Sequence, residues 1–310
     1  MQAAPVMSKV FVTGGTGFVG RRLLPRLTAA GHAVHALTRS DDLPPIGTPG
    51  EPGSLVPVRG ELADPAGYDT ALRDADLVVH LAALTGKATA AEHFQVNATG
   101  TEQLVDAATR GGVRRLVFVS SIVAGLKHPE HYPYARAKAR AEAAVQAAQL
   151  PATIIRPTLV IGPASPILAA LRSLATLPVM PVFGGGRVKV QPVFVDDVVT
   201  ALLECVEDPV YDGSVLEIGG PDVLALEGFM QAIGRAARGR SAPTLHLPLR
   251  LTTAAAATLE KFINPRLLPL TAGQLSVFTW STTAAPNPLQ TRLEPGFSNV
   301  PAMLKRSLEA

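Results

Sequence analysis

A single cysteine, Cys205, stands in the 310 residues, so the chain can close no internal disulfide and build no cysteine-based metal cluster. Its apolar neighbourhood, Ala201 to Val206, points to a buried structural thiol, not a nucleophile. Aromatic residues are sparse at 5%, which leaves the interior to Ala, Leu and Val. No apolar run reaches the roughly 18 residues that a membrane-spanning helix needs. The nearest stretch, Leu249 to Ile263, is broken by Arg250, Glu260 and Lys261, which permits association with a surface but excludes spanning. No basic segment leads into an apolar one at the start, so the expected compartment is the cytoplasm. The excess of positive charge is only +3 and is dispersed, so a nucleic-acid partner is not expected. None of the seven histidines pairs with another at a ligand spacing, and no metal is expected.

What is present is an alternation of short β-branched runs with longer Ala/Leu-rich segments from Lys9 to Arg156. Strands are predicted at Val10–Thr13, Ala33–Leu37, Val56–Val58, Leu77–Leu81, Arg115–Ser120 and Thr153–Arg156, with helices at Phe18–Ala30, Tyr68–Arg73, Ala91–Arg110 and Tyr134–Ala148. This rhythm predicts an α/β fold, a doubly wound parallel Rossmann sheet, with a smaller C-terminal substrate lobe. The expected division is a dinucleotide-binding domain over 8–160 and a substrate lobe over 161–310, interleaved with returning sheet elements near 193–218. Prolines and glycines make Asp41 to Ser54 a loop near the cofactor's adenosine end, expected to be mobile. Beyond Arg156, prolines from Pro157 to Pro181 predict an irregular segment before a strand-like run, Val188 to Val195. Further elements are predicted as a helix at Asp197–Glu207, a strand at Ser214–Ile218, and helices near Leu226–Arg238 and Leu251–Phe262.

The sharpest motif is Thr13-Gly14-Gly15-Thr16-Gly17-Phe18-Val19-Gly20, which follows the apolar strand Val10-Phe11-Val12 and opens a helical segment. A tight turn, close approach of a diphosphate and close helix packing all favour residues without a Cβ. The open N–H groups of the helix start would face the diphosphate. At the end of the second strand, where an NAD site usually places an acid for the ribose, stand Leu37-Thr38-Arg39-Ser40. Arg39 can pair with a 2′-phosphate, so NADP(H) is the preferred cofactor; Asp41 or Asp42 just beyond keeps NAD(H) as the alternative.

With these glycines, the chain resembles the extended or atypical short-chain dehydrogenases/reductases, the superfamily of the NAD-dependent epimerase/dehydratases. Further residues carry the likeness: Glu61-Leu62, where the family places an acid and an apolar residue at the adenine; Leu81-Ala82-Ala83 after His80, lining the cofactor; and Asn97 ahead of Gly100-Thr101. Ile154-Ile155-Arg156-Pro157 resembles the strand beside the nicotinamide, and Val195-Asp196-Asp197-Val198 the segment closing the substrate lobe. The catalytic signature resembles Tyr134-Ala135-Arg136-Ala137-Lys138 preceded by Ser120-Ser121. By this resemblance Ser121 bonds the substrate oxygen, with Ser120 as the fallback, and Tyr134 transfers the proton. Lys138, one helical turn on, favours the phenolate and holds the nicotinamide ribose. A tyrosine of ordinary pKa, about 10, needs such a neighbour to act as a base near neutrality.

The departures also inform. Val190-Gln191-Pro192 stand where nucleotide-sugar epimerases carry an arginine, and Ile122-Val123 where Tyr-Gly is usual, so a nucleotide sugar is not the favoured substrate. The C-terminal third, with Gly219-Gly220-Pro221-Asp222 and Leu245 to Leu249, resembles the branch holding the nucleotide-binding accessory subunit of respiratory complex I. The expected function is an NAD(P)(H)-dependent oxidoreductase acting on a carbonyl or hydroxyl carbon of a small molecule, or an epimerase, with a homodimer allowed. The alternative is a non-catalytic NADP(H)-binding structural, assembly or sensor protein. His128 and His131, close to Tyr134 in sequence, are candidates for the substrate entrance, with a solvated loop as the plainer reading.

Overall fold

Parallel strands buried on both faces read as continuous apolar runs, and six such runs form most of the central sheet. They are β1 (Lys9–Thr13), β2 (Ala33–Thr38), β3 (Leu55–Arg59), β4 (Leu77–His80), β5 (Arg115–Val119) and β6 (Ala152–Pro157). A seventh strand, Val215–Ile218, pairs in parallel beside β6. The computed structural model describes residues 7–127, 129–268 and 270–309. Across the sheet the order is Val215–Ile218, β6, β5, β4, β1, β2, β3. The chain leaves β1 towards β2 and β3, then crosses to β4 on the other side of β1. That reversal lies at the carboxyl ends of β1 and β4, where Thr13 stands beside His80, the place at which sheets of this kind hold their ligands.

Alternation along the strands divides the core between the two faces. Val10, Val12, Val79 and Val117 pack under Leu23, Leu24 and Leu27 of the helix Gly20–Ala29 and under Val198, Val199 and Leu202 of the helix Val195–Glu207. Phe11, Val78, Leu116 and Phe118 pack on the other face under Leu104, Ala108, Ala141 and Val145. Cys205 is buried in the first cluster and its thiol is pushed up to about 12 by desolvation, an inert structural group.

Two expectations are corrected. The predicted helix Ala91–Arg110 is split into Ala90–Phe94 and Gly100–Gly111 by a wide π-type turn, Gln95–Thr99, where Asn97 is turned towards the loop after β4. The run Val188 to Val195 is not one strand: Lys189–Val190 and Pro192–Phe194 join different small sheets, and Val195 begins a helix. The proline-punctuated segment is also more regular than expected. Pro166 occupies the first turn of the helix Pro166–Ala175, where its missing N–H costs nothing, and the Ser165 hydroxyl caps it by accepting from Leu168 N. That helix packs with Leu226–Arg238 and Val300–Leu308 around Phe194, Phe229, Met230 and Met303.

Candidate functional site

The glycine turn is shaped by backbone contacts that no side chain could share. Gly14 has φ +75°, and a Cβ there would lie 2.6 Å from Ala82 N. A Cβ on Gly20 would lie 2.3 Å from Gly14 O, which is how closely the helix sits on the strand. Gly17 N donates to Gly14 O at 3.0 Å and closes the turn. Among the described residues no side chain caps the helix start at Val19, and no acid stands in its first turn, which leaves its electropositive end open to an anion. Arg21, which sequence reasoning did not single out, folds back so that Nε donates to Thr16 O at 2.7 Å. Phe18 packs beside Gly162, where a Cβ would come within 3.2 Å of its ring.

Beneath this turn runs a buried polar chain. Thr101 Oγ1 donates to Asn97 O at 2.8 Å and therefore accepts from His80 Nε2 at 2.9 Å, which makes His80 Nδ1 the acceptor from Thr13 Oγ1 at 2.6 Å. Burial, helped by the charge of Lys138, lowers His80 to about 3, so it is a neutral structural imidazole. Thr13 Oγ1 also accepts from Ala82 N at 3.3 Å, fixing the loop Leu81-Ala82-Ala83 at the end of β1. Asn97 uses both ends of its amide on that loop: Oδ1 accepts from Leu84 N at 2.7 Å, and Nδ2 donates to Leu84 O at 2.9 Å. Its place is therefore to position the cofactor loop from behind.

At the adenosine end, Arg39 is exposed at the tip of β2 and has no hydrogen-bond or ion-pair partner among the described residues. The two acids beyond it are engaged: Asp41 pairs with Arg59 at 2.6 Å, and Asp42 accepts from Ser40 Oγ at 2.8 Å. Glu61 is exposed, while Leu62 lies against Gly100, where a Cβ would come within 2.8 Å of Leu62 Cδ2.

Ser121, Tyr134 and Lys138 converge at the ends of β5 and of the helix Pro133–Ala147. Of the serine pair, Ser121 is the member near enough to the Tyr134 phenol to lower it. Ser120 is buried, and its hydroxyl has no partner among the described residues. Lys138 is 1% exposed; its Nζ donates to Val119 O at 2.7 Å and lies 4.2 Å from the centre of the Phe118 ring. Desolvation lowers this ammonium to about 7, against the pull of Glu142 one turn on. Burial likewise pushes Tyr134 up to about 12, with Ser121 acting the other way. Burial sets the direction at Tyr134, and the phenol keeps its proton through the neutral range.

The buried lysine has a consequence for stability. Its folded pKa lies below the ordinary 10.5, so the native chain holds fewer protons than the unfolded chain between about 7 and 10.5. Stability therefore gains from Lys138 as pH rises through that window. Urea unfolding of the cofactor-free protein at pH 7 and pH 9.5 is expected to show a larger gain for wild type than for Lys138→Met; equal gains would remove the buried ammonium from the account.

Behind the triad, buried Glu142 accepts from Arg156 Nε at 2.9 Å, and Arg156 also reaches Glu217 at 3.4 Å, joining the Tyr134 helix to β6 and the last sheet strand. Pro157 closes β6 as a buried residue beside Ile218. Asp196 bridges Arg22 and Arg306, and Asp197 accepts from Ser298 N at 2.8 Å, so the Val-Asp-Asp-Val segment holds the C-terminal chain against the first helix. His131 is exposed and His128 lies outside the described residues. The histidine that does reach Tyr134 is buried His93, edge-on with ring centres 5.8 Å apart. It lies far from Tyr134 in sequence and no motif marks it. Among the described residues no group of side chains could hold a metal.

A cradle that any Cβ would fill, an open helix start and the orphaned Ser120 hydroxyl together fit a dinucleotide lying across the switch point. The fold and this cradle define a Rossmann-type protein of the extended short-chain dehydrogenase/reductase class. The chain belongs to the NAD dependent epimerase/dehydratase family, whose model matches residues 10–219. It is similar to the mitochondrial NADH dehydrogenase [ubiquinone] 1 alpha subcomplex subunit 9 of Arabidopsis thaliana, 31% identical over 85% of this chain and 66% of that protein. It is also similar to the ceramide reductase of Caulobacter vibrioides, 32% identical over 65% of this chain and 62% of that protein. The chain thus spans just under two thirds of the length of these relatives. Among solved structures, MoeE5 in complex with UDP-glucuronic acid and NAD superposes with a TM-score of 0.72 at 22% identity, over 97% of this chain and 98% of that one.

Proposed function

We propose that this chain is an NAD(P)(H)-dependent oxidoreductase that reduces the carbonyl of an apolar small molecule, with Ser121, Tyr134 and Lys138 as its catalytic group. The observation that carries this reading is the gathering of Ser121, Tyr134 and buried Lys138 beyond the end of β5, where Lys138 Nζ is held by Val119 O at 2.7 Å beside the serine pair. Bound nicotinamide supplies the hydride. Ser121 and Tyr134 would both donate to the carbonyl oxygen, and Tyr134, protonated at neutral pH, gives up its proton as the oxygen becomes negative. Lys138, with Nζ donors beyond the one spent on Val119 O, would hold the nicotinamide ribose and stabilise the phenolate left behind.

The preference for an apolar substrate over a nucleotide sugar rests on Gln191. It is 7% exposed, and its amide is consumed by Gly220 O at 2.7 Å and Ala284 N at 2.8 Å, so the position supports a loop and has no hand free for a diphosphate. The similarity to a ceramide reductase points the same way. The test is a screen of long-chain ketones against simple nucleotide sugars with NADPH. Turnover of a nucleotide sugar alone would overturn the substrate assignment.

NADP(H) is the proposed cofactor, because Arg39 has no partner among the described residues while Asp41 pairs with Arg59 and Asp42 accepts from Ser40. Arg39→Ala is expected to weaken NADPH binding by about ten- to hundredfold, the worth of charge-assisted bonds to a phosphate, and to leave NADH binding alone. A titration in which both cofactors weaken equally would reject the assignment. The second reading, a dinucleotide-binding protein without turnover, is favoured by one observation: the match to the complex I subunit extends over 85% of this chain.

A further inference from the structure

In the helix Leu249–Leu259, Leu251, Ala255, Thr258 and Leu259 recur at the spacing that normally marks the stripe facing a core, and Phe262 continues it past the helix end. Here that stripe faces outward. Leu251 is 70% exposed, Phe262 83% and Leu267 78%. The helix is held instead by its opposite side, where Ala256 and Ala257 meet Ala272, Leu275 and Phe278 in a small separate cluster. So many exposed large apolar side chains in one short segment are unusual on a chain that has no partner.

The charges of the segment left without a partner among the described residues are positive, since the one acid that reaches it from outside, Glu92, is paired with Arg266 at 2.6 Å. Arg250 and Lys261 are exposed and form no ion pair among the described residues. The nearby acid of the segment, Glu260, is turned inward, where it accepts from Ala272 N at 2.5 Å. Apolar side chains interleaved with unpaired cations match a lipid surface of negative charge. A second copy docking face to face would bring like charges together. The chain that follows the helix touches the neighbourhood of the site: Lys87, on the loop after β4, donates to Leu268 O at 2.5 Å, and a Cβ on Gly273 would come within 2.9 Å of His131 O and of the Tyr132 ring.

We propose that the outer face of Leu249–Leu259, with Phe262 and Leu267, docks on an anionic lipid bilayer, burying Leu251, Leu259, Phe262 and Leu267 and placing Arg250 and Lys261 at the headgroups. The docking stands independently of hydride transfer, and would bring the neighbourhood of the site to the membrane surface, where an apolar substrate concentrates. The test is sedimentation of the full chain with vesicles of phosphatidylcholine alone and of phosphatidylcholine with phosphatidylglycerol. Binding is expected to the mixed vesicles, weakened by salt. It should fall at least about tenfold in Phe262→Ser/Leu267→Ser, and Arg250→Glu/Lys261→Glu should abolish the preference for phosphatidylglycerol. All four side chains are exposed, so unchanged NADPH binding by the variants certifies their fold. Absence of wild-type binding to either vesicle, or equal binding by the serine variant, overturns the proposal. So does a concentration-dependent dimer that the serine variant dissociates in the absence of vesicle binding, because the face then belongs to a second copy. Failure of NADPH to bind wild type bears on the proposed function alone.

Discussion

Tyr134→Phe is expected to lower turnover by about 10²–10⁴-fold, the usual worth of a positioned general acid, while leaving dinucleotide affinity largely unchanged. The substitution removes only the phenolic oxygen. The ring keeps its contacts with His93 and Tyr132, at 5.8 Å each between ring centres, so the surroundings have no reason to shift. What disappears is the proton that burial holds on the phenol through neutral pH. Steady-state rates and a cofactor titration on the same preparation separate the two effects. A variant as active as wild type would take Tyr134 out of the chemistry, and a wild type with no turnover on any carbonyl would bring the purely binding reading forward.

Gly14→Ala is expected to reduce dinucleotide affinity by about a hundredfold or more, since two penalties add. The residue has φ +75°, which costs an L-residue roughly 1–2 kcal/mol. The new methyl would also lie 2.6 Å from Ala82 N and 2.7 Å from the Leu81 carbonyl carbon, both backbone atoms that cannot rotate away. Relief requires the Leu81–Ala83 loop to move, and that loop is pinned by Thr13 and, through Leu84, by Asn97. Gly31→Ala is the control: its φ is +88°, but a Cβ there meets nothing within 4 Å. It should cost stability without touching cofactor affinity. Similar losses at both positions would mean that backbone strain alone, and not the shape of the cradle, governs binding.

The parts of this fold that were legible in the sequence are those where one residue type has a single physical use. Gly14 and Gly20 announce a turn because nothing larger fits, and the β-branched runs at Val10–Val12 and Leu77–Val79 announce buried parallel strands because both faces are apolar. Residues whose use depends on what folds beside them could not be read. Pro166 looks like a breaker and is a helix start because Ser165 caps it; Gln191 looks like a vacant ligand position and is a buried strut between Gly220 and Ala284. His93 is invisible because its approach to Tyr134 is made by packing of the helix Ala90–Phe94 against the Tyr134 helix. The protonation of Tyr134 and Lys138 depends on the fold in the same way. Spacing puts Lys138 on the same helix face as Tyr134, but only the fold shows that both are desolvated enough to oppose charge on either.

The most direct test is a titration of the purified chain with NADPH and with NADH, following the fluorescence of the reduced nicotinamide. Saturable binding of one dinucleotide per chain, tighter for NADPH and lost in Gly14→Ala, is the predicted result. Absence of saturable binding by either cofactor would contradict the account at its base, because the cradle at Gly14, Gly17 and Gly20 would then have no ligand to hold.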